Sequence, residues 1–267
     1  MSIAFIGGGN MATALIAGLA ATGQAIHVVD PNAEALARLA ARYGVSTASA
    51  IDAQVSAASV VVLAVKPQQM KAVAAALQPA LGAGALVLSI AAGIRAADLS
   101  RWLGGWDAIV RTMPNTPALI GKGITGMFAL DGVSAAQRAQ ADAILRAVGR
   151  TVWLDSEAQI DPVTAVSGSG PAYVFYFIEA LQQAAEELGL TPEQGRALAL
   201  ATFEGAAQLA VNADEPVSVL RERVTSKGGT TYAALSSMEA DGIKQAIIRA
   251  VKAAAARGEE LGRELGQ

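Results

Sequence analysis

Cysteine is absent from the 267 residues, and histidine occurs once, at His27. Without thiols the chain has no disulfide framework, thiolate zinc site, iron–sulfur cluster or cysteine nucleophile. One histidine removes any site that pairs two. Charge is also sparse: Asp, Glu, Lys and Arg make up 16%, against a usual share of about 25%, and the net charge is −3 at pH 7. A broadly basic surface for nucleic acid is not expected from such a balance. Hydrophobic residues supply 53%, which excludes a disordered chain and is enough for a large buried core.

A mean hydropathy of +0.40 raises the question of a membrane. The first charge after the N-terminus is Asp30, and a second uncharged window runs from Ala72 to Ile94. Either is long enough to span a bilayer, at about 20 residues. The first, however, carries Gly7-Gly8-Gly9-Asn10 and lacks the basic start of a signal peptide. The second is broken by Gln78-Pro79 and Gly82. Both read as buried α/β structure, with no membrane partner, and the cytoplasm is the expected location.

The first half alternates between strand and helix. Apolar runs at Ile3–Ile6, Ile26–Val29, Val60–Val65, Leu86–Ile90 and Ala108–Arg111 predict strands, with helices over Met11–Ala21 and Ala33–Tyr43. Continuous rather than alternating β-branched runs predict strands covered on both faces, as in a parallel sheet with helices above and below. Ile124–Leu130 and Thr151–Leu154 read as further strands around an Ala-rich helix at Ser134–Val148. Beyond Asp161-Pro162 the period becomes helical, with Val174, Phe177, Ile178, Leu181, Ala185 and Leu188 leading to Gly189 as a stop. Thr191-Pro192-Glu193 starts another helix, and Ile243, Ile247, Val251 and Ala254 mark a last one. The expected architecture is a Rossmann-type α/β domain over residues 1–160, followed by an all-helical domain over 161–267.

Gly7-Gly8-Gly9-Asn10-Met11-Ala12 fits GxGxxA between a strand and a helix. Glycines there allow a tight turn and close approach to a pyrophosphate, whose charge the helix N-terminus stabilises. Asp30 ends the second strand, where an acid bonds the ribose 2′-hydroxyl of NAD; it equally suits a helix cap leading into Asn32. Lys66, in Ala64-Val65-Lys66-Pro67, is a candidate phosphate or ribose contact or a solvated lysine. Small residues at Ile90-Ala91-Ala92-Gly93 leave room for a nicotinamide ring. In the helical half, Thr225-Ser226-Lys227-Gly228-Gly229-Thr230-Thr231 opens a helix with hydroxyls and free amides suited to a carboxylate, or serves as an ordinary N-cap. Ser167-Gly168-Ser169-Gly170-Pro171 reads as a tight turn before a helix at Tyr173–Leu188, and His27 as a core residue of its strand.

These blocks resemble the pyrroline-5-carboxylate reductase family over essentially the whole chain. The likeness is carried by Ile6–Met11, Ala64–Gln68, Arg111-Thr112-Met113-Pro114-Asn115-Thr116-Pro117, Ala165–Tyr173 and, most specifically, Val224–Thr231. The resemblance implies NAD(P)H-dependent reduction of L-1-pyrroline-5-carboxylate to L-proline, the last step of proline biosynthesis, by a homo-oligomer in which the helical domain builds a dimer, often assembled into a decamer. It implies cofactor contacts from Ile6, Gly7, Gly8, Gly9, Asn10, Met11, Ala64, Val65, Lys66, Pro67, Ile90, Ala91 and Ala92, with Asn115 near the nicotinamide; Asp30 joins them as the ribose contact read from the residues. Ser226, Gly229, Thr230 and Thr231 would hold the substrate carboxylate, with the Thr231 hydroxyl, as the catalytic group, bonding the imine nitrogen. NADP(H) comes first on family grounds and NAD(H) second, because Asp30 stands where some relatives place serine or arginine. No metal is needed, since a protonated imine is already electrophilic. A hydroxyacid dehydrogenase of the same two-domain layout is the rival enzyme, but its interdomain lysine has no counterpart between Lys122 and Lys227. A non-enzymatic dinucleotide-binding protein is the third reading.

Overall fold

The computed structural model describes residues 1–266. The first half contains β1 (Ser2–Ile6), α1 (Asn10–Ala20), β2 (Ala25–Val29), α2 (Ala33–Tyr43), β3 (Ser46–Ala48), α3 (Ala53–Ser56), β4 (Val60–Leu63), α4 (Met70–Leu77), β5 (Leu86–Ser89), α5 (Ala96–Trp102) and β6 (Ile109–Met113). It continues with β7 (Gly123–Ala129), α6 (Ala135–Arg146) and β8 (Gly149–Trp153). One eight-stranded sheet results, in the order β3-β2-β1-β4-β5-β6-β7-β8. Its first six strands take the 3-2-1-4-5-6 order of dinucleotide-binding folds.

The β-branched runs explain why both faces are covered. Ile3 and Phe5 of β1, Val60 and Val62 of β4, and Leu86 and Leu88 of β5 enter one core with Leu15, Leu36 and Ile144 from α1, α2 and α6. The alternate residues Ala4, Ile6, Val61, Leu63 and Val87 enter a second core with Met70, Leu77 and Leu99 from α4 and α5. Each strand thus feeds two cores, as a helix-covered parallel sheet requires. The parallel expectation fails at one place: β6 and β7 pair antiparallel. Only a short 3₁₀ segment, Thr116–Ile120, lies in the connection between them, and a parallel return needs a crossover of a dozen residues or more. β3 and the helices α3, α4 and α5 were not anticipated. β3 is three residues, Ser-Thr-Ala, paired at the sheet edge with β2 alone.

His27 is a core residue. It is 5% exposed, with Nδ1 2.9 Å from the Ser46 hydroxyl and Nε2 3.2 Å from Asp52.

From residue 160 the chain is helical: α7 (Ile160–Val163), a π-turn at Thr164–Gly168, α8 (Gly170–Glu187), α9 (Pro192–Asn212), α10 (Val217–Arg223), α11 (Thr230–Ala240) and α12 (Ile243–Leu265). Two compact units divide between Ser169 and Gly170, and the chain from Ala253 onward returns to the first unit. This division falls later than residue 160 because α7 and the π-turn pack on the sheet. Ile160 and Ala165 are buried, and Gly126 of β7 leaves room for the Val163 side chain. The Ser167–Pro171 stretch is therefore helix and π-turn rather than a tight turn. In the second unit, Thr191 caps α9 through a reciprocal box with Gln194, with Pro192 at the first helical position. Among the described residues, no helix is long and apolar enough to cross a membrane.

A buried ion cluster ties the first unit together. Arg111, in the middle of β6, is 3% exposed; its Nη1 donates to Glu157 Oε1 at 2.8 Å and its Nη2 lies 3.5 Å from Asp161. The same Glu157 oxygen accepts the Ala96 amide that begins α5, at 2.7 Å. The end of α12 packs nearby, with Gly258 against Asp161 and Gly262 beside Arg95. Removing one partner of a fully buried pair costs about 3–5 kcal/mol. Glu157 is partly exposed, so Glu157→Ala is expected to lower stability by about 2–3 kcal/mol in urea melts. A loss under about 0.5 kcal/mol, the worth of a surface pair, would contradict this.

Candidate active site

The carboxyl ends of β2, β1, β4 and β5 run on past the strands in register. Gly7 N–H donates to Val29 at 2.8 Å, Ala64 N–H to Ile6 at 2.8 Å and Ile90 N–H to Leu63 at 3.1 Å. Since β1 lies between β2 and β4, this is the point where strand order reverses, and ligands bind there in open α/β sheets. Gly7 has φ +105°, and a Cβ on it would stand 2.6 Å from the Ala64 carbonyl oxygen. Only glycine makes that turn at that distance. Gly9 then caps α1 without any side-chain bond, and open space surrounds its Cα. The first bond within the helix runs from Thr13 N–H to Gly9, so the amides from Gly9 to Ala12 lack intrahelical partners. Unpaired amides on a helix N-terminus, next to a glycine that lets backbone come close, fit a pyrophosphate.

Around this cradle the other expected residues separate by role. Asp30 Oδ2 accepts the Gly8 amide at 2.7 Å and Oδ1 accepts the Asn32 amide at 2.8 Å. The carboxylate braces the glycine loop and starts the turn into α2, whose cap is Asn32 and not Asp30. Lys66 is exposed, makes no ion pair among the described residues, and leads into a 3₁₀ turn beginning at Pro67. Ala64, Val65, Ile90 and Ala92 are half-buried and Ala91 buried beside the strand ends. Met11 packs on the first core, while Asn10 is exposed.

Asn115 follows β6 and is held on both sides. It is 9% exposed; its Nδ2 donates to the Ser167 carbonyl at 3.1 Å and its Oδ1 accepts the Ile124 amide at 2.9 Å. The side chain fastens the end of β6 to the π-turn and to the start of β7. The Ser167 hydroxyl bonds back to Val163, and Gly168 lies against Met113, so the first residues of the Ala165–Tyr173 block pack the π-turn on the sheet. The Arg111–Glu157–Asp161 cluster was missed. Its one signal was an arginine inside the apolar run Ala108–Met113.

In the second unit, the candidate substrate loop precedes α11. Thr225 closes the turn after α10 with its hydroxyl on Arg221 at 2.6 Å and its amide on Glu222 at 3.0 Å. Gly228 has φ +77°, and Gly229 caps α11 with no side-chain bond. The Gly229 amide donates to the Ser226 carbonyl at 3.0 Å, so it is not a free donor. The available amides are those of Thr230, Thr231 and Tyr232, because the first intrahelical bond comes from Ala233. Gly229 serves instead by lacking a Cβ, which would lie 2.7 Å from Ser226 Oγ. Thr230 and Ser226 are exposed and Thr231 is half-buried.

Residues 157–261 match a family model described as pyrroline-5-carboxylate reductase dimerisation, and residues 2–93 one described as NADP oxidoreductase, coenzyme F420-dependent. A pyrroline-5-carboxylate reductase of Pseudomonas aeruginosa is 50% identical over 99% of this chain and 98% of that protein. The chain belongs to the pyrroline-5-carboxylate reductase family. The Haemophilus influenzae reductase is 44% identical, with 97% of each chain covered. Among solved structures, the Coxiella burnetii reductase superposes with a TM-score of 0.91 at 43% identity, covering 97% of both chains. The Plasmodium falciparum reductase, solved with NADP bound, gives 0.87 at 29% identity, covering 98% of both. A prephenate dehydrogenase from A. aeolicus and a Mycobacterium tuberculosis 3-hydroxyisobutyrate dehydrogenase, at 15% and 18% identity, share the fold alone.

Within this family member the Gly7 turn is the most constrained point of the nucleotide end. Gly7→Ala adds backbone strain of about 1–3 kcal/mol and a clash with Ala64. The expected result is at least about tenfold weaker nucleotide binding by titration calorimetry, with the circular dichroism spectrum retained. Unchanged affinity would show that the cradle is not the binding site.

Proposed function

We propose that this chain reduces L-1-pyrroline-5-carboxylate to L-proline, the last step of proline biosynthesis, using a reduced nicotinamide dinucleotide, NADP(H) or NAD(H). The observation that carries the reading is the presence, in one member of this family, of two helix N-termini with unspent amides. One follows the dinucleotide glycines and the other follows Ser226–Gly229. The NADP oxidoreductase model over residues 2–93 and the NADP-bound relative support the cofactor. The reduced nicotinamide supplies a hydride to the ring carbon of the C=N bond.

The chain's own residues do the rest by position and charge complementarity. The Thr230 and Thr231 amides, at the positive end of α11, receive the substrate carboxylate, with the Ser226 hydroxyl alongside. The Thr231 hydroxyl bonds the ring nitrogen and orients the imine. The imine enters already protonated on nitrogen, so hydride addition to the carbon gives the neutral secondary amine directly, and the Thr231 hydroxyl accepts from the ring N–H before and after. The half-buried position of Thr231 limits competing water. No cysteine, second histidine or metal ligand enters the scheme.

The proposal has the chain working in the cytoplasm as a homo-oligomer on a small molecule. The dimerisation model over residues 157–261 supports a dimer, and decamers are an extension of the same reading. Light scattering should return at least twice the 27.0 kDa chain mass, and a monomer would contradict the assembly.

Thr231→Ala is expected to lower kcat about 10²- to 10³-fold with pyrroline-5-carboxylate, a cost like that of losing one positioned hydrogen bond of an oxyanion hole. Thr231→Ser should recover much of the loss. Near-normal turnover of the alanine variant, followed by nicotinamide absorbance, would remove Thr231 from the mechanism.

A further inference from the structure

We propose that Asp30 sets the cofactor choice of this chain and makes it favour NADH over NADPH. The inference rests on the reading of the chain as a nicotinamide-dependent reductase, and it concerns the segment after β2 that meets the adenosine ribose.

The carboxylate of Asp30 is fixed rather than mobile. Its two oxygens take the Gly8 amide at 2.7 Å and the Asn32 amide at 2.8 Å. A carboxylate offers about four acceptor sites, so room remains for ribose hydroxyls, which donate. A 2′-phosphate has no such proton to give and brings more negative charge. Swinging Asp30 away to admit it would strip the Gly8 and Asn32 amides of their partners. The loop that cradles the pyrophosphate is thus held by the group that repels the 2′-phosphate.

Residues 31–37 themselves bring no compensating cation. Residues 31–37 are Pro-Asn-Ala-Glu-Ala-Leu-Ala, without lysine, arginine, serine or threonine. The Asn32 side chain is spent on the Glu34 and Ala35 amides as the cap of α2, and Glu34 adds a second negative charge in the first helical turn. On the inner side, Gly8 faces the apolar end of Leu39. Beyond β3 the next ionisable side chain is Asp52, again acidic. The first cation along α2 is Arg38, and Lys66 follows β4, which β1 separates from β2. Like charges brought together at a binding surface disfavour the complex unless they are relieved.

The test is direct titration of the full-length protein with NADH and NADPH, by calorimetry or nicotinamide fluorescence, for wild type, Asp30→Asn and Asp30→Ser. The wild type should bind NADH at least about tenfold more tightly than NADPH. Asp30→Asn removes the charge but keeps the shape and one acceptor, so the ratio should shift about tenfold or more toward NADPH, with Asp30→Ser moving the same way. Equal or tighter binding of NADPH by the wild type overturns the proposal, as do ratios unmoved in both variants. The wild-type ratio decides even where a variant fails to fold. The expected binding ratios without any turnover of pyrroline-5-carboxylate would sustain the role of Asp30 and sink the proposed reaction instead.

Discussion

The contact on which the nucleotide end depends is the approach of Gly7 to the Ala64 carbonyl, closer than any residue with a Cβ allows. It lets β1 turn sharply into α1 at the one place in the sheet where strands on either side lead away in opposite directions. The turn aims the first amides of α1 outward, and the Asp30 carboxylate then fixes the next residue, Gly8, by its amide. Backbone closeness, helix dipole and a single carboxylate are therefore parts of one arrangement. A change in any of them alters the others, which is why the residue proposed to choose between cofactors also shapes the loop.

A second constraint lies on the other side of the sheet centre. Arg111 brings a full charge into a site only 3% exposed, and such a charge is tolerated only when paired and hydrogen-bonded. Glu157 and Asp161 supply the counter-charges from the segment that leaves β8. Glu157 also holds the first amide of α5, so the loop from Ile90 to Arg95 is pinned at its far end. Gly93 in that loop meets Leu261 and Leu265, and Arg101 donates to the Gly266 carbonyl at 2.6 Å. The end of α12 thus braces the segment that carries Ile90, Ala91 and Ala92. A C-terminal helix, distant in sequence, helps to set the geometry of the β5 end.

How much of this was legible depended on whether the determining contact was local. Strands such as Val60–Leu63 announce themselves because burial on both faces demands unbroken apolar runs, and α9 because Thr191, Pro192 and Gln194 satisfy its first amides within four residues. Ala33–Tyr43 was readable to the residue, since Asn32 caps one end and Gly44, at φ +66°, closes the other. β3 was not, because a three-residue edge strand gains its stability from pairing with β2 and not from its own composition. The antiparallel turn into β7 was hidden for a similar reason. In the site, the glycine loop and the Thr225–Thr231 stretch were visible as patterns, but which amides remain free was not. That the Gly229 amide is spent on Ser226, and the Asn115 side chain on Ser167 and Ile124, follows from backbone paths that no spacing rule encodes.

The second unit makes a last physical point about the family to which the chain belongs. Its long helices are apolar, yet among its described residues only Gly195 and Ala199 are buried. Phe175, Tyr176, Leu198 and Leu209 stand 59%, 72%, 57% and 71% exposed. Fully burying a large apolar side chain contributes about 1.5–3 kcal/mol, so this surface forgoes several times that amount in a single chain. Exposed apolar area on this scale marks an interaction surface rather than a solvent face. Close helix contact is already built in where it can be, as at Gly195 against Ala185 across the α8–α9 hairpin. The remaining surface needs atoms from outside the chain, and the dimerisation model covering residues 157–261 points to a second copy as their source. On this view the helical half is unfinished alone for the same reason that it is hydrophobic: its core is meant to be shared.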